Sequence, residues 1–442
     1  MSTSSELFDV IIVGAGLTGL ITARYLLSKG YTVCILEGSS RVGGRTSTTT
    51  DGEDLGAEWI QPRVHKRMCE EWKRYSITFE ELTWKNEEEE EVKEKEDDTV
   101  CNEISTDSSK VINDIRHSKL DIIIKQINED GKKLSKLELI SETTAHFDTI
   151  SWEDHLTMYS KGDESILAAM KRFSFPFSGS SASSISALYM IRESYQFGGF
   201  IEMIEDIEIR SIEGCQTLSK RIAAELPTNI ICFERIVTSI DSEKYITVKS
   251  KCGKSGNENE NENKYRKSVN DIDTIQTLIS KLVIVTVPFA TIYKINFIPS
   301  LSDNILNHSK VGHAGHAIKI WKTGKVPIIP IGECDQKLAY EGKKKGRYCV
   351  IATPPYNVSD SECECVVFHN WSSDPLFCGT WLAPRVGNYD SLESLRKHNK
   401  GNVLFASGDL SLEWAGWMEG AIRSGDDAGC KADEILRMMM NR

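Results

Sequence analysis

Gly14-Ala15-Gly16-Leu17-Thr18-Gly19 decides the fold of this chain. Glycine-rich turns are common, and the spacing G-x-G-x-x-G takes its meaning from its flanks. Ahead of it, Phe8-Asp9-Val10-Ile11-Ile12-Val13 is a near-continuous apolar run of the kind a buried parallel strand requires. From Leu17 to Leu27 the apolar residues switch to helical spacing with no proline. The pattern predicts strand, turn, helix. In such a unit Gly14 permits the tight turn, Gly16 lets the backbone approach a pyrophosphate and Gly19 lets the helix pack close to the strand. Ala15, Leu17 and Thr18 bring the amides of the first turn toward the phosphates. A second strand, Tyr31 to Leu36, ends at Glu37, whose carboxylate is placed to accept hydrogen bonds from an adenosine ribose and to disfavour a 2′-phosphate.

The segments that follow narrow the dinucleotide. Arg41-Val42-Gly43-Gly44-Arg45-Thr46 sets two glycines and two arginines just after Glu37 and Gly38, and Asp54-Leu55-Gly56-Ala57-Glu58-Trp59-Ile60 comes soon after. With these motifs the chain resembles the flavin-containing amine oxidase family, which spans monoamine oxidases, polyamine oxidases and L-amino acid oxidases. The resemblance implies FAD: Gly43, Gly44 and Arg45 would run along its pyrophosphate, and Gly56, Ala57, Glu58, Trp59 and Ile60 beneath its isoalloxazine. These residue types suit the task, because arginine offers a fixed fork of donors to phosphate and glycine removes side chains that would block it. Arg41 reads either as a further cofactor contact or as the charged tip of a loop. The implied fold is α/β: a Rossmann-like FAD-binding domain of the glutathione-reductase-like kind, discontinuous over 1–82, 208–300 and 395–442, with an inserted α+β substrate domain over 83–207 and 301–394.

At 442 residues and 40% hydrophobic content, the chain is long enough for two domains with sizeable cores. Its formal net charge of −12 argues against nucleic acid or an anionic membrane as a partner. More than half of that excess lies in Glu87 to Asp98, where nine acids face two lysines. Such a block reads as a disordered, solvated loop, 86–98, and the Asn/Glu alternation of Asn257 to Asn263 reads as part of a second, 254–270. The opening residues Met1 to Leu7 lack the basic start of a signal peptide, and no run of about 20 apolar residues offers a membrane anchor. A cytoplasmic location is expected, with a homodimer left open. Twelve cysteines without CxxC spacing read as reduced thiols. Neither Cys363 with Cys365 nor His313 with His316 has the partners of a metal site, so no metal is expected.

A helical pattern shows in Val111 to Ile127 and Asp163 to Phe173, and beyond these the pattern changes. Glu213 to Leu218 opens a helix ending near Leu226, apolar stretches follow at Asn229 to Phe233 and Arg235 to Val237, and Leu282 to Pro288 reads as a buried strand stopped by proline. In the resembling family this unit returns the chain to the flavin, with the residue matching Val237 at the adenine and Pro288 in a shared Thr-Val-Pro segment. Ala317-Ile318-Lys319-Ile320-Trp321 alternates like a strand, and a lysine there is costly to bury unless its charge or its donors are used. Lys319 matches the family lysine directed at flavin N5, whereas Lys322 and Lys325 are expected in solvent. Counting from Trp371, the position at which mitochondrial monoamine oxidases attach the flavin falls on Thr380. Cys378 comes two residues early, so FAD is expected to be bound non-covalently. Trp381 and Trp417 match the two walls of the family's aromatic cage, whose faces guide an amine nitrogen. Gly408 and Asp409 match the ribityl-binding segment, and a helix from near Gly416, carrying Met418 and Ala421, would direct its positive end at the flavin pyrimidine.

The reaction so implied is oxidation of an amine at the carbon next to nitrogen, with Lys319, Trp381 and Trp417 as the catalytic set. A hydride equivalent passes to the flavin, the imine is hydrolysed to aldehyde and ammonia, and oxygen is the acceptor, giving hydrogen peroxide. Many L-amino acid oxidases place an arginine just after the Gly-Ala matching Gly56-Ala57; here Glu58 stands, which would repel a substrate carboxylate. Gln61 is an amide where polyamine oxidases tend to place an acid. These two positions favour a neutral-tailed primary monoamine. The alternatives are polyamine or L-amino acid oxidation, another FAD oxidoreductase such as a desaturase on the same scaffold, or a flavin-binding protein that acts through contacts.

Overall fold

The apolar run ahead of the glycines is strand β1 (Leu7–Val13), with Val10, Ile11 and Ile12 wholly buried. The computed structural model describes residues 7–82, 120–205, 208–243, 246–253, 275–313, 315–326, 337–353, 365–398 and 401–441; the expected loops 86–98 and 254–270 lie outside them. In chain order the further strands are β2 (Val33–Leu36), β3 (Trp59–Ile60), β4 (Phe79–Leu82), β5 (Glu208–Ser211), β6 (Ile231–Cys232), β7 (Arg235–Asp241) and β8 (Ile246–Cys252). They continue with β9 (Ile275–Val285), β10 (Asn296–Ile298), β11 (Ile318–Thr323), β12 (Lys337–Glu341), β13 (Arg347–Ala352), β14 (Cys365–His369) and β15 (Val403–Phe405). β1 lies between β2 and β9, parallel to both, with Val10 opposite Val33 and Val13 opposite Val285. The large sheet runs β10-β7-β8-β9-β1-β2-β6, with β15 also beside β9. The two ends of the chain therefore meet in one sheet.

Alternation along β1 divides the core. Ile11 and Val13 belong to a cluster with the helical middle of the chain, while Val10 and Ile12 pack beneath the first and last helices. That first helix, α1 (Leu17–Ser28), starts directly after the turn. A β-carbon on Gly19 would come within 2.1 Å of the Gly14 carbonyl oxygen, which is why the turn-to-helix approach admits only glycine there. The middle of the chain supplies α2 (Leu120–Gly131), α3 (Trp152–Ser160), α4 (Glu164–Ser178) and α5 (Ala187–Phe197), followed by α6 (Gln216–Glu225), α7 (Tyr389–Lys397) and α8 (Met418–Met440). α4 begins where Asp163 caps the Ile166 amide and runs past the expected stop at Phe173, keeping Pro176 in its last turns. α8 packs along α1: the hydroxyls of Thr18 and Thr22 donate to the Ala421 and Gly425 carbonyls at 2.8 and 3.0 Å. Among the described residues no helix is long and apolar enough to cross a membrane.

A second sheet runs β12-β13-β11-β14, antiparallel throughout. β11 is an inner strand, so the side chains on both its faces are covered. That corrects the expectation for Lys322, which is 1% exposed, while Lys325 beyond the strand end is exposed. A short third sheet, β3-β5-β4, ties the segment around Trp59 to the strand that follows the helical middle.

Candidate active site

A cavity lies between the β1-to-α1 turn, the segment leading into α8, and β11. At one end Gly14, Gly16, Leu17 and Thr18 line it together with Glu37, Gly38 and Val237. Glu37 accepts from the Ala15 amide at 2.7 Å and from the Ser39 amide and hydroxyl at 2.8 and 2.7 Å. A carboxylate has about four lone-pair positions, so these donors leave room for a ribose hydroxyl.

Gly43, Gly44, Arg45, Pro288 and Gly408 line the middle. Arg45 donates to Asp409 at 2.6 Å and to the Thr380 carbonyl at 2.9 Å, and the second Asp409 oxygen accepts from the Phe289 amide at 2.9 Å. Burial works to raise the Asp409 carboxyl, but the Arg45 guanidinium outweighs it and holds the group below the usual carboxylate range. Asp409 itself sits behind the cavity wall, fully buried, and presents Ser407 and Gly408 in front of it. Arg41 is neither on the wall nor at a loop tip. It donates to the carbonyls of Val42, Gly44 and Thr46 at 3.4, 2.8 and 3.2 Å and braces the glycine turn from behind. Ala15, Gly19 and Ile60 also lie off the wall, shaping the backbone and the core.

At the other end Gly56, Ala57, Glu58, Trp59 and Lys319 face Phe177, Trp381 and Trp417, with Met418 and Ala421 at the start of α8 alongside. Lys319 pairs with Glu58 and also donates to the Gly56 carbonyl at 3.2 Å; an ammonium has three donors, so one remains for the cavity. Glu58 additionally accepts from the Tyr340 hydroxyl at 2.6 Å and lies 3.4 Å from the Arg210 guanidinium. Burial disfavours both charges of the pair, yet their attraction prevails: the Lys319 ammonium is held above its ordinary range and the Glu58 carboxyl below its own. The rings of Trp59, Trp321 and Tyr340 surround the ammonium at 5.7, 5.7 and 5.8 Å. Trp381 donates to the Phe177 carbonyl at 2.8 Å, and Trp417 donates to Glu193 at 2.7 Å.

Tyr340, Arg210, Phe177 and Glu193 were not among the residues singled out from sequence. Glu193 had a signal: the stretch Ala187-Leu188-Tyr189-Met190-Ile191-Arg192-Glu193 embeds a charge pair in an apolar helix, a pattern buried charges need partners to sustain. For Tyr340 and Arg210 no local signal exists, because only the sheet pairings bring β12 and β5 to Glu58.

The donor set fits FAD on two observations. The Thr380 and Ser407 hydroxyls line the cavity, buried and without a protein partner, and a side chain at Gly16 would enter open space with nothing within 4 Å. Glu37, the Gly43–Arg45 turn and the amino end of α8 supply the acceptors, donors and helix dipole such a dinucleotide needs.

The family model described as flavin containing amine oxidoreductase matches residues 17–329 and 352–432. The chain belongs to this family. It is therefore an enzyme of a class whose reaction is FAD-dependent oxidation of an amine to an imine. (S)-6-hydroxynicotine oxidase from Paenarthrobacter nicotinovorans is 23% identical to the enzyme, over 97% of this chain and 100% of that one. Putrescine oxidase from Kocuria rosea is 53% identical over 57 residues, 12% of either chain. Among solved structures, wild-type putrescine oxidase bound to putrescine superposes with a TM-score of 0.71 at 20% identity, covering 97% of this chain and 99% of that one. Cyclohexylamine oxidase from Brevibacterium oxydans IH-35A superposes with a TM-score of 0.71 at 16% identity, covering 97% and 100%. The enzyme thus has the family fold, a Rossmann-like FAD domain joined to a substrate domain.

Proposed function

We propose that this enzyme oxidises a primary amine with an uncharged, apolar tail, using non-covalent FAD in a Rossmann-like domain of the glutathione-reductase-like kind and oxygen as acceptor. One observation carries the substrate class: the amine end of the cavity is walled by Trp59, Phe177, Trp381 and Trp417, and the Glu58 carboxylate there is already engaged by Lys319, Tyr340 and Arg210. A second ammonium, as in a diamine or polyamine, has no free carboxylate to meet among the lining residues at that end. A substrate carboxylate has no free guanidinium, because Arg210 is spent on Glu58 and on Glu80 at 2.6 Å.

Glu37 would hold the adenosine ribose, Gly16, Gly44 and Arg45 the pyrophosphate, and Gly56 to Trp59 the ring system. When bound, FAD supplies the acceptor for a hydride equivalent from the carbon next to nitrogen. The chain's own contribution is placement. Indole faces exclude water and orient the amine, and Lys319, kept charged by Glu58, holds one donor toward the reacting end. No unpaired acid or base stands beside the cage among the described lining residues, so the amine enters neutral and its lone pair assists loss of hydride. Thr380, not a cysteine, stands on the wall, and Cys378 accepts from Lys294 at 3.0 Å off the wall, which supports a non-covalent cofactor.

A panel of cyclohexylamine, tyramine, (S)-6-hydroxynicotine, putrescine, spermine and L-amino acids tests the reading, with peroxide release and anaerobic bleaching of the flavin as the signals. Apolar monoamines are expected to lead. Spermine, putrescine or an L-amino acid as the best substrate overturns it. Acid precipitation is expected to release all yellow colour into the supernatant; colour retained in the pellet overturns non-covalent binding.

A further inference from the structure

We propose that Glu193 is a positioning residue for the amine: carried on α5, its carboxylate fixes the orientation of the Trp417 indole that walls the apolar end of the cavity. The proposal rests on the reading of Trp417 as a wall of the substrate cage. Its geometry extends over three residues of one helix. Arg192 donates to the Leu412 carbonyl at 2.8 Å, Glu193 accepts from the Trp417 indole at 2.7 Å, and Gln196 accepts from the Trp414 amide. Gln196 also donates to Glu193 at 3.3 Å, which orients the carboxylate. α5 thereby grips the whole segment that enters α8. The Trp417 ring is further confined by Phe197 and His65, with ring centres 5.6 and 4.9 Å away.

Glu193 is 1% exposed, and a buried carboxyl is costly unless its hydrogen bonds are needed. The charged and titratable groups facing it are few. Arg192 and Tyr189 come from its own helix and Tyr389 from α7. Arg192 is spent on carbonyls, those of Glu138 and Leu139 at 3.1 and 3.2 Å besides Leu412. From the segment on the other side Trp417 presents only its indole N–H, and the neighbouring His65 is kept neutral, burial pushing it down to about 3. Glu193 is thus directed at the indole, and its acceptor is what the site uses.

The test compares Glu193→Gln, which keeps an acceptor, with Glu193→Leu, which removes it, in holoenzyme carrying 5-fluorotryptophan. The Trp417 fluorine resonance is assigned with Trp417→Phe. In Glu193→Leu that resonance is expected to shift or broaden, and KM for the best amine to rise about tenfold or more while kcat stays within about twofold, the mark of lost positioning in the bound state. Glu193→Gln is expected to restore both. Should Glu193→Leu fail to fold, Glu193→Met carries the same readings. An unmoved Trp417 resonance with an unchanged KM in the acceptor-free variant overturns the proposal, as does a Glu193→Gln enzyme in which the resonance moves as far as in Glu193→Leu. If the wild type releases no peroxide with any amine, the amine reading fails, and the fluorine spectra alone decide the role of Glu193.

Discussion

Lys319 and Glu58 are a pair that neither partner could leave without cost. Their side chains are 8% and 1% exposed, and each offsets the desolvation of the other. Removing one partner of such a buried pair costs about 3–5 kcal/mol, because it strands the other charge. Lys319→Met is therefore expected to lower the unfolding free energy by about 3–5 kcal/mol, and adding Glu58→Gln to recover part of it. A urea-unfolding double-mutant cycle measures the coupling, and strictly additive losses would show that the two side chains do not act as a pair. The same Lys319→Met enzyme should stay yellow yet turn over its amine about 10²-fold more slowly, since the ammonium beside the reacting end is placed to within a bond length; stopped-flow bleaching of the flavin reads this out. That a lysine within an apolar strand carries a cost is legible from Ile318-Lys319-Ile320. What compensates it is not, because Glu58, Tyr340 and Arg210 lie on three other segments. Lys322 shows the same limit: its burial follows from β11 having a strand on either side, and no spacing within 318–323 reports that.

The chain closes on itself through two helices. α1 and α8 approach closely enough at Gly425 that a β-carbon there would lie 2.8 Å from the Thr18 carbonyl oxygen and 2.9 Å from the Ile21 β-carbon. Backbone opposes that β-carbon, so it cannot be accommodated by rotating a side chain. Gly425→Ala is expected to destabilise the protein by about 1–3 kcal/mol through overpacking. It should also weaken FAD binding, because Thr18 and Ala421, which the helix contact joins, both line the cavity. Urea unfolding and titration of apoprotein with FAD by fluorescence quenching check the two effects, and wild-type values for both would show the contact to be slack. Elements with a strong local pattern, β1 and α1 above all, are where sequence and structure agree. α4 is where they part. Its expected end at Phe173 respects the proline at 176, but the helix continues to Ser178 because Pro176 comes near the end, where few later turns depend on it, and Gly179 then closes the helix in the left-handed region at φ 57.

Across the whole molecule, burial acts on titratable groups of opposite sign, and the balance sets how stability changes with pH. His65 and His313 are pushed down to about 3 by burial. Between about 6.5 and 3 the unfolded chain binds protons at these rings that the folded chain refuses, so they cost stability as pH falls through that window. Glu193 and Asp148 act the other way: burial raises them to about 7 and about 6. Their stabilising contribution is complete below the ordinary carboxylate range and is lost as pH rises through their folded values. Subtracting a variant from the wild type isolates one of these terms, because the histidines contribute equally to both. Glu193→Gln cannot ionise yet keeps an acceptor for Trp417, so its stability relative to wild type is expected to grow as pH climbs from about 4.5 to 7, by up to about 3 kcal/mol for a displacement of this size. Urea unfolding of both proteins at pH 5 and pH 8 measures it, since pH 5 leaves the wild-type carboxyl protonated and pH 8 forces its charge into the apolar space between α5 and Trp417. A stability difference independent of pH would mean that Glu193 is ionised throughout, and that the indole faces a permanent carboxylate.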